Sequence, residues 1–143
     1  MNTHLWRLTV RDDFAAAHAL RHYEGKCERL HGHNFAVELT VEGQNLTPDT
    51  EMLLDFKVLK TGLKRVLETL DHRLLNETPP FARLNPSSEN LSRHIWRSMA
   101  AWLEAHPDPQ ARAVRLHSVT VAEKGAQSAT YMELPSEVGG RAG

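Results

Sequence analysis

Between His31 and Glu42 the chain alternates with a period of two. His31, His33, Phe35, Val37, Leu39 and Val41 fall on one face, and Asn34, Ala36, Glu38, Thr40 and Glu42 on the other. Residues two apart share a face only in an extended backbone, so this stretch specifies a strand with one buried and one wetted side. Its apolar row must be covered by other elements, which sets the terms for the rest of the fold. The row also opens with two histidines. Ring nitrogens on a core-facing row need partners, and a metal ion supplies one.

The remaining pattern supplies the covering layer. Trp6, Leu8 and Val10 alternate with Arg7, Thr9 and Arg11, a second half-buried strand, and Phe14 to Arg29 reads as a loop. After a turn over Gly43 to Thr50 the period becomes helical. Phe56, Leu59, Leu63, Val66, Leu67 and Leu70 form one stripe behind Asp55, an N-cap residue. A loop from about Arg73 to Pro86 leads to a second helix opening at Ser87 or Ser88. Glu89 lies in its first turn, its stripe is Leu91, Ile95, Met99 and Trp102, and it stops before Pro107. Strands around Val114 to Glu123 and Ser128 to Leu134, joined near Gly125, close the chain.

This order predicts an α+β fold, a four-stranded, mostly antiparallel sheet with two helices packed on one face. A single domain over residues 1–135 is expected, with 136–143, three of them glycine, as a flexible tail. The two open sheet edges invite association between copies.

Composition narrows the function classes. Seventeen basic against eighteen acidic residues give a net charge of −1, without the cationic footprint of a nucleic-acid binder. No window approaches the length of a membrane span, and Met1 to Asp13 has no apolar signal-peptide core, so a cytoplasmic protein is expected. One cysteine among 143 residues excludes an intramolecular disulfide, whereas nine histidines stand out.

In His31-Gly32-His33 both imidazoles project from one face of the strand, with Cα atoms about 6.5–7 Å apart. A catalytic zinc takes three protein ligands and keeps an open position. His18 is preferred as the third, because adjacent antiparallel strands can bring the end of the first beside the start of the second; His22 is the competitor. Three neutral nitrogens leave such a centre at +2, a Lewis acid toward a substrate hydroxyl or carbonyl. Cys27 stands open to three readings: a fourth ligand, a buried spectator, or a thiolate base favoured by Lys26 and a nearby metal. Asp71-His72 ends the first helix and makes a proton relay if it faces the metal. Glu123 extends the row of Val119 and Val121. It is either a surface glutamate or a carboxylate anchor for a ligand with paired N–H donors.

Six motifs in order, Phe14-Ala-Ala-Ala-His18, Cys27-Glu-Arg-Leu-His31-Gly-His33, Leu54-Asp-Phe56, Leu70-Asp-His72, Pro86-Ser-Ser-Glu89-Asn90 and Glu123, cover about residues 4–134. Together they resemble the 6-pyruvoyl-tetrahydropterin synthase family, and within it the bacterial 6-carboxy-tetrahydropterin synthases of the queuosine pathway. The resemblance implies a T-fold assembled edge to edge, commonly as a homohexamer with active sites between subunits. It implies zinc on His18, His31 and His33, Cys27 as the proton-abstracting base and Asp71-His72 as a second relay. Glu123 would hold the pyrimidine edge of a pterin, with Ser87, Ser88 and Glu89 lining the pocket. The implied substrate is 7,8-dihydroneopterin triphosphate, converted to 6-carboxy-5,6,7,8-tetrahydropterin with release of triphosphate and acetaldehyde. Three residues separate Cys27 from His31, the queuosine-type spacing; biopterin-type enzymes carry a longer insertion there. A non-catalytic zinc- and pterin-binding module is the alternative from another class. The chain departs from the family at Ser87-Ser88, where threonine is more frequent, and at residues 135–143, which extend past the usual end. Lys26, Arg29 and His22 are candidates for the triphosphate.

Overall fold

Two thirteen-residue strands, β1 (Trp6–His18) and β2 (His31–Gly43), pair antiparallel along their whole length, from Trp6 opposite Gly43 to His18 opposite His31. The computed structural model that shows this describes residues 2–25 and 29–135. β1 is longer than the sequence pattern indicates, because Phe14 to His18 continues the strand instead of opening a loop. Alternation persists there, with Phe14, Ala16 and His18 buried. Alanine on both faces erases the polarity contrast that reveals a strand, and the ladder with β2 decides the conformation.

Helix α1 (Phe56–Glu68) begins at Asp55, whose side chain accepts from the Lys57 amide at 2.9 Å. Its buried face is Leu59, Gly62, Leu63 and Leu67; Phe56 is exposed, and Leu70 is buried just beyond the helix. The two-residue strand β3 (Arg73–Leu74) and a single 3-10 turn (Leu75–Glu77) follow. Helix α2 (Ser88–Ala105) is capped by Ser87, whose hydroxyl accepts from the Asn90 amide. It buries Leu91, Ile95, Met99 and Leu103. A one-turn helix, α3 (Pro109–Ala113), precedes β4 (Arg115–Lys124) and β5 (Gln127–Tyr131).

The sheet order is β3-β1-β2-β4-β5. The expected four-stranded antiparallel sheet with two helices is therefore corrected to a five-stranded mixed sheet with three helices. β3 runs parallel to β1 at Ala16 and Ala17, while every other pairing is antiparallel. Too short to carry a period, β3 is defined by its partner alone. The extra helix does leave a sequence signal, Asp108 as N-cap before Pro109 at the first helical position.

Phe14, Phe35, Val37, Leu39, Val119 and Val121 form the floor of one continuous core, roofed by α1 and α2. The opposite sheet face is polar, with Arg7 bonded to Glu42 and Arg11 to Glu38 across the β1–β2 ladder. Two irregularities interrupt β4. One, at His117, lets both Leu116 and Val119 face the core; the other falls at Glu123, between Ala122 and Lys124. Bulges re-aim side chains, and the second determines where the Glu123 carboxylate points.

Candidate metal centre and active site

His18, His31 and His33 meet at the end of the β1–β2 ladder, each offering a ring nitrogen within 4.8 Å of the others. His18 and His31 are direct cross-strand partners, with ring centroids 4.5 Å apart; His33, two residues along the same face, lies 4.6 Å from His31 and 5.7 Å from His18. Phe35 supports the group from beneath, its ring edge-on to His18 at 5.1 Å and to His33 at 6.0 Å, and stacked on Phe14 at 4.9 Å. The competing His22 is exposed in the turn after β1, at a φ of 63°, and is not part of the group.

Hydrogen bonds decide which nitrogens are free. Nδ1 of His18 lies 2.8 Å from the Pro86 carbonyl and Nδ1 of His31 lies 2.7 Å from the Arg29 carbonyl. A carbonyl only accepts, so both rings carry a proton on Nδ1, which leaves Nε2 as the nitrogen each can offer to a metal. Among the described residues Nε2 of His18 is buried without a hydrogen-bond partner, a cost that a bound cation would remove. Burial holds the His18 ring below the ordinary histidine pKa, against the opposing pull of Pro86 and Glu123; burial also lowers His33. Both shifts favour the neutral ring, the form that binds metal. Among the described residues the cluster is three imidazoles, a donor set that fits a divalent transition metal.

Glu123 reaches over this cluster from β4. One carboxylate oxygen is 3.3 Å from His18 Nε2 and the other 4.0 Å from His33 Nε2. Its side chain is only 15% exposed, packed against the histidines instead of standing free at the strand end. Ser87, Ser88 and Glu89 open α2 one residue after the carbonyl that orients His18. Ser87 and Ser88 are half-buried and Glu89 is exposed.

Asp71 and His72 follow α1 beside β1. The Asp71 carboxylate accepts from the Ala15 amide at 2.9 Å and lies 2.9 Å from His72 Nδ1. The Ala15 amide, and then His72, hold its acid below the usual carboxylate range, against the opposing effect of burial. His72 has a φ of 57°, in the left-handed region, and its own amide donates to the Ala15 carbonyl. These bonds tie the backbone of the pair to β1 at Ala15, and the His72 imidazole is 82% exposed. Among the described residues no hydrogen bond or ion pair joins it to the three histidines. An open cavity of about 650 Å³ is lined by His72 and Arg73, by Ala15 to Ala17 of β1, and by Gly32, His33 and Asn34 of β2. Cys27 and Lys26 lie outside the described residues.

Three residues that the sequence reading passes over also shape the site: Arg21, Asn76 and Asn85 bond the segment after His18 to the segment before Pro86. Amide side chains beside apolar residues, in Leu75-Asn76 and Leu84-Asn85, are the only trace they leave in the sequence.

Among the described residues no helix is long and apolar enough to cross a membrane. A family model described as 6-pyruvoyl tetrahydropterin synthase matches residues 7–134. The chain is 37% identical over 131 residues to the 6-carboxy-5,6,7,8-tetrahydropterin synthase of Synechocystis, covering 89% of this chain and 93% of that one. It is 34% identical over 101 residues to the 6-pyruvoyl tetrahydrobiopterin synthase of Dictyostelium discoideum, covering 62% and 74%. The solved 6-pyruvoyl tetrahydropterin synthase of Caenorhabditis elegans superimposes with a TM-score of 0.76 at 26% identity, over 94% of this chain and 99% of that one. With its T-fold sheet, its three-histidine cluster and a match spanning almost its entire length, this chain belongs to the 6-pyruvoyl tetrahydropterin synthase family.

Proposed function

We propose that the protein is a zinc-dependent 6-carboxy-5,6,7,8-tetrahydropterin synthase. It acts on 7,8-dihydroneopterin triphosphate, releases triphosphate and acetaldehyde, and serves queuosine (7-deazapurine) biosynthesis. The observation that carries this reading is the convergence of His18, His31 and His33, with the buried Nε2 of His18 lying 3.3 Å from the Glu123 carboxylate. Likeness to the Synechocystis synthase over nearly both full lengths supports the choice of reaction.

His18, His31 and His33 would hold the zinc, which supplies Lewis acidity toward the oxygens of the substrate side chain. Glu123 accepts the paired N–H donors of the pterin's pyrimidine edge, and its place beside the histidines puts the ring next to the metal. Ser87, Ser88 and Glu89 line the ring pocket. Cys27, as thiolate, takes a proton from the side-chain carbon. His72, its ring oriented by Asp71, exchanges the second proton.

A homohexamer with active sites at subunit interfaces accommodates the exposed His72 ring. The edge strand β5, and the part of β1 that the two-residue β3 leaves unpaired, provide the pairing surfaces. A biopterin-type outcome on the same substrate is the second reading, favoured by the likeness to the Dictyostelium protein. Incubation with zinc and 7,8-dihydroneopterin triphosphate, followed by mass identification, tests the proposal. The expected products are 6-carboxy-tetrahydropterin and acetaldehyde. A diketo tetrahydropterin product replaces this reading with the biopterin-type one. Recovery of unchanged substrate from zinc-loaded protein makes the chain a binding module.

A further inference from the structure

His18 is the last residue of β1 in the ladder, and beyond it the chain leaves the sheet. On its other side β1 meets β3 only at Ala16–Arg73 and Ala17–Leu74. The next two rungs are made by side chains. Asn76 accepts from the Ala19 amide at 2.8 Å and donates to the Ala19 carbonyl at 2.9 Å. Asn85 accepts from the Arg21 amide at 2.8 Å and donates to the Arg21 carbonyl at 2.9 Å. A side-chain amide carries the donor and acceptor of a peptide group, so each asparagine substitutes for a missing strand residue. Residues 19 and 21, two apart, present their backbone groups on one side, as in a ladder.

Arg21 closes the same clamp from within. Its guanidinium donates to the carbonyls of Asn76 at 3.1 Å, Phe81 at 2.8 Å and Leu84 at 3.1 Å. The loop held in this way delivers one group to the three-histidine cluster, the Pro86 carbonyl that orients His18, directly after Asn85. His31 and His33 sit on β2 and do not depend on this loop for their place. Any slip of the loop against the end of β1 would therefore change the ring of His18 alone.

We propose that Asn76, Asn85 and Arg21 are positioning residues of the metal centre, a side-chain continuation of the β1–β3 pairing that holds Pro86 where it presents His18 Nε2 to the ion. This inference rests on the metal-binding reading above. Its test uses the metal-free purified protein at its native assembly state, with two readouts besides turnover: Zn²⁺ affinity by competition with a chromophoric chelator, and the visible spectrum of bound Co²⁺. Asn76→Leu and Asn85→Leu remove both bonds of a rung at similar size. Asn85→Asp keeps the acceptor and loses the donor. Leu103→Ala, at a buried position of α2, is a control for lost stability alone.

Wild type is expected to bind one zinc per chain. The leucine variants should bind it about tenfold more weakly, the lower end of the range for groups that support metal ligands, with an altered Co²⁺ band. Asn85→Asp should fall between, and Leu103→Ala should match wild type despite its lower stability. Wild-type affinity and an unchanged Co²⁺ spectrum in both leucine variants overturn the inference; if those variants do not fold, the same result in Asn85→Asp overturns it. A wild type that binds no zinc sinks the metal reading itself, a different result from the one that removes the clamp.

Discussion

Phe35 links the core to the candidate metal centre, and Phe35→Leu separates its two roles. The ring is fully buried, stacked on Phe14 with centroids 4.9 Å apart and planes 14° from parallel, and it meets His18 and His33 edge-on. Leucine retains most of the apolar burial. The smaller side chain forfeits transfer and cavity energy of about 1 kcal/mol. Loss of the aromatic pair adds about 1 kcal/mol more. The sum, about 2 kcal/mol, lowers the melting temperature by roughly 4–8 °C in a chain of this size and leaves the protein folded. Urea and thermal unfolding of the metal-free variant, at the protein concentration used for wild type, measure the change. Zinc affinity should fall by about tenfold, because the His18 ring loses its floor while its Nδ1 remains bonded to Pro86. Unchanged unfolding would refute the packing argument. Wild-type zinc affinity in a destabilised variant would refute the claim that the aromatic floor orients the imidazoles.

Three further outcomes follow from particular residues. Gly62 on α1 faces the Trp102 indole so closely that a Cβ would collide with it, so Gly62→Ala should lose about 1–3 kcal/mol in urea unfolding despite alanine's better helix propensity; a stabilised variant would show that the indole moves aside freely. Burial holds His94 below the histidine reference of 6.5, as it does His18 and His33, so below that pH the unfolded chain binds protons that the folded one refuses. Metal-free stability should therefore be fully present above about pH 6.5 and fall on acidification, with a shallower fall in His94→Gln; equal urea midpoints at pH 7.5 and pH 5 would contradict this. Cys27→Ala should retain zinc and pterin binding yet lose turnover, and a variant as active as wild type would remove the thiol from the chemistry.

How much of this was legible depends on contrast along the chain. β2 was readable because six apolar or histidine positions alternate with polar ones, and α1 because its stripe follows a capping aspartate. The second half of β1 was not, since Phe14-Ala-Ala-Ala-His18 offers no difference between faces. β3 is too short to show a period, and α3, a single turn, is marked only by its cap, Asp108 before Pro109. The His-Gly-His pair was legible as a site because two residues on one face of a strand converge wherever that strand lies. The place of Glu123 over the cluster depends on a bulge that no alternation announces.

What the sequence determined by itself was local: which faces are buried, where helices start, and that His31 and His33 project together. Whether His18 or His22 completes the trio was decided by the tertiary structure, because that choice depends on the register of β1 against β2, in which His18 falls opposite His31. The Asn76 and Asn85 rungs arise in the same way, from loops more than fifty residues apart in sequence. Periodicity records the environment of each residue relative to its neighbours. Convergence of distant segments is set by ladder register and packing, which no single segment encodes.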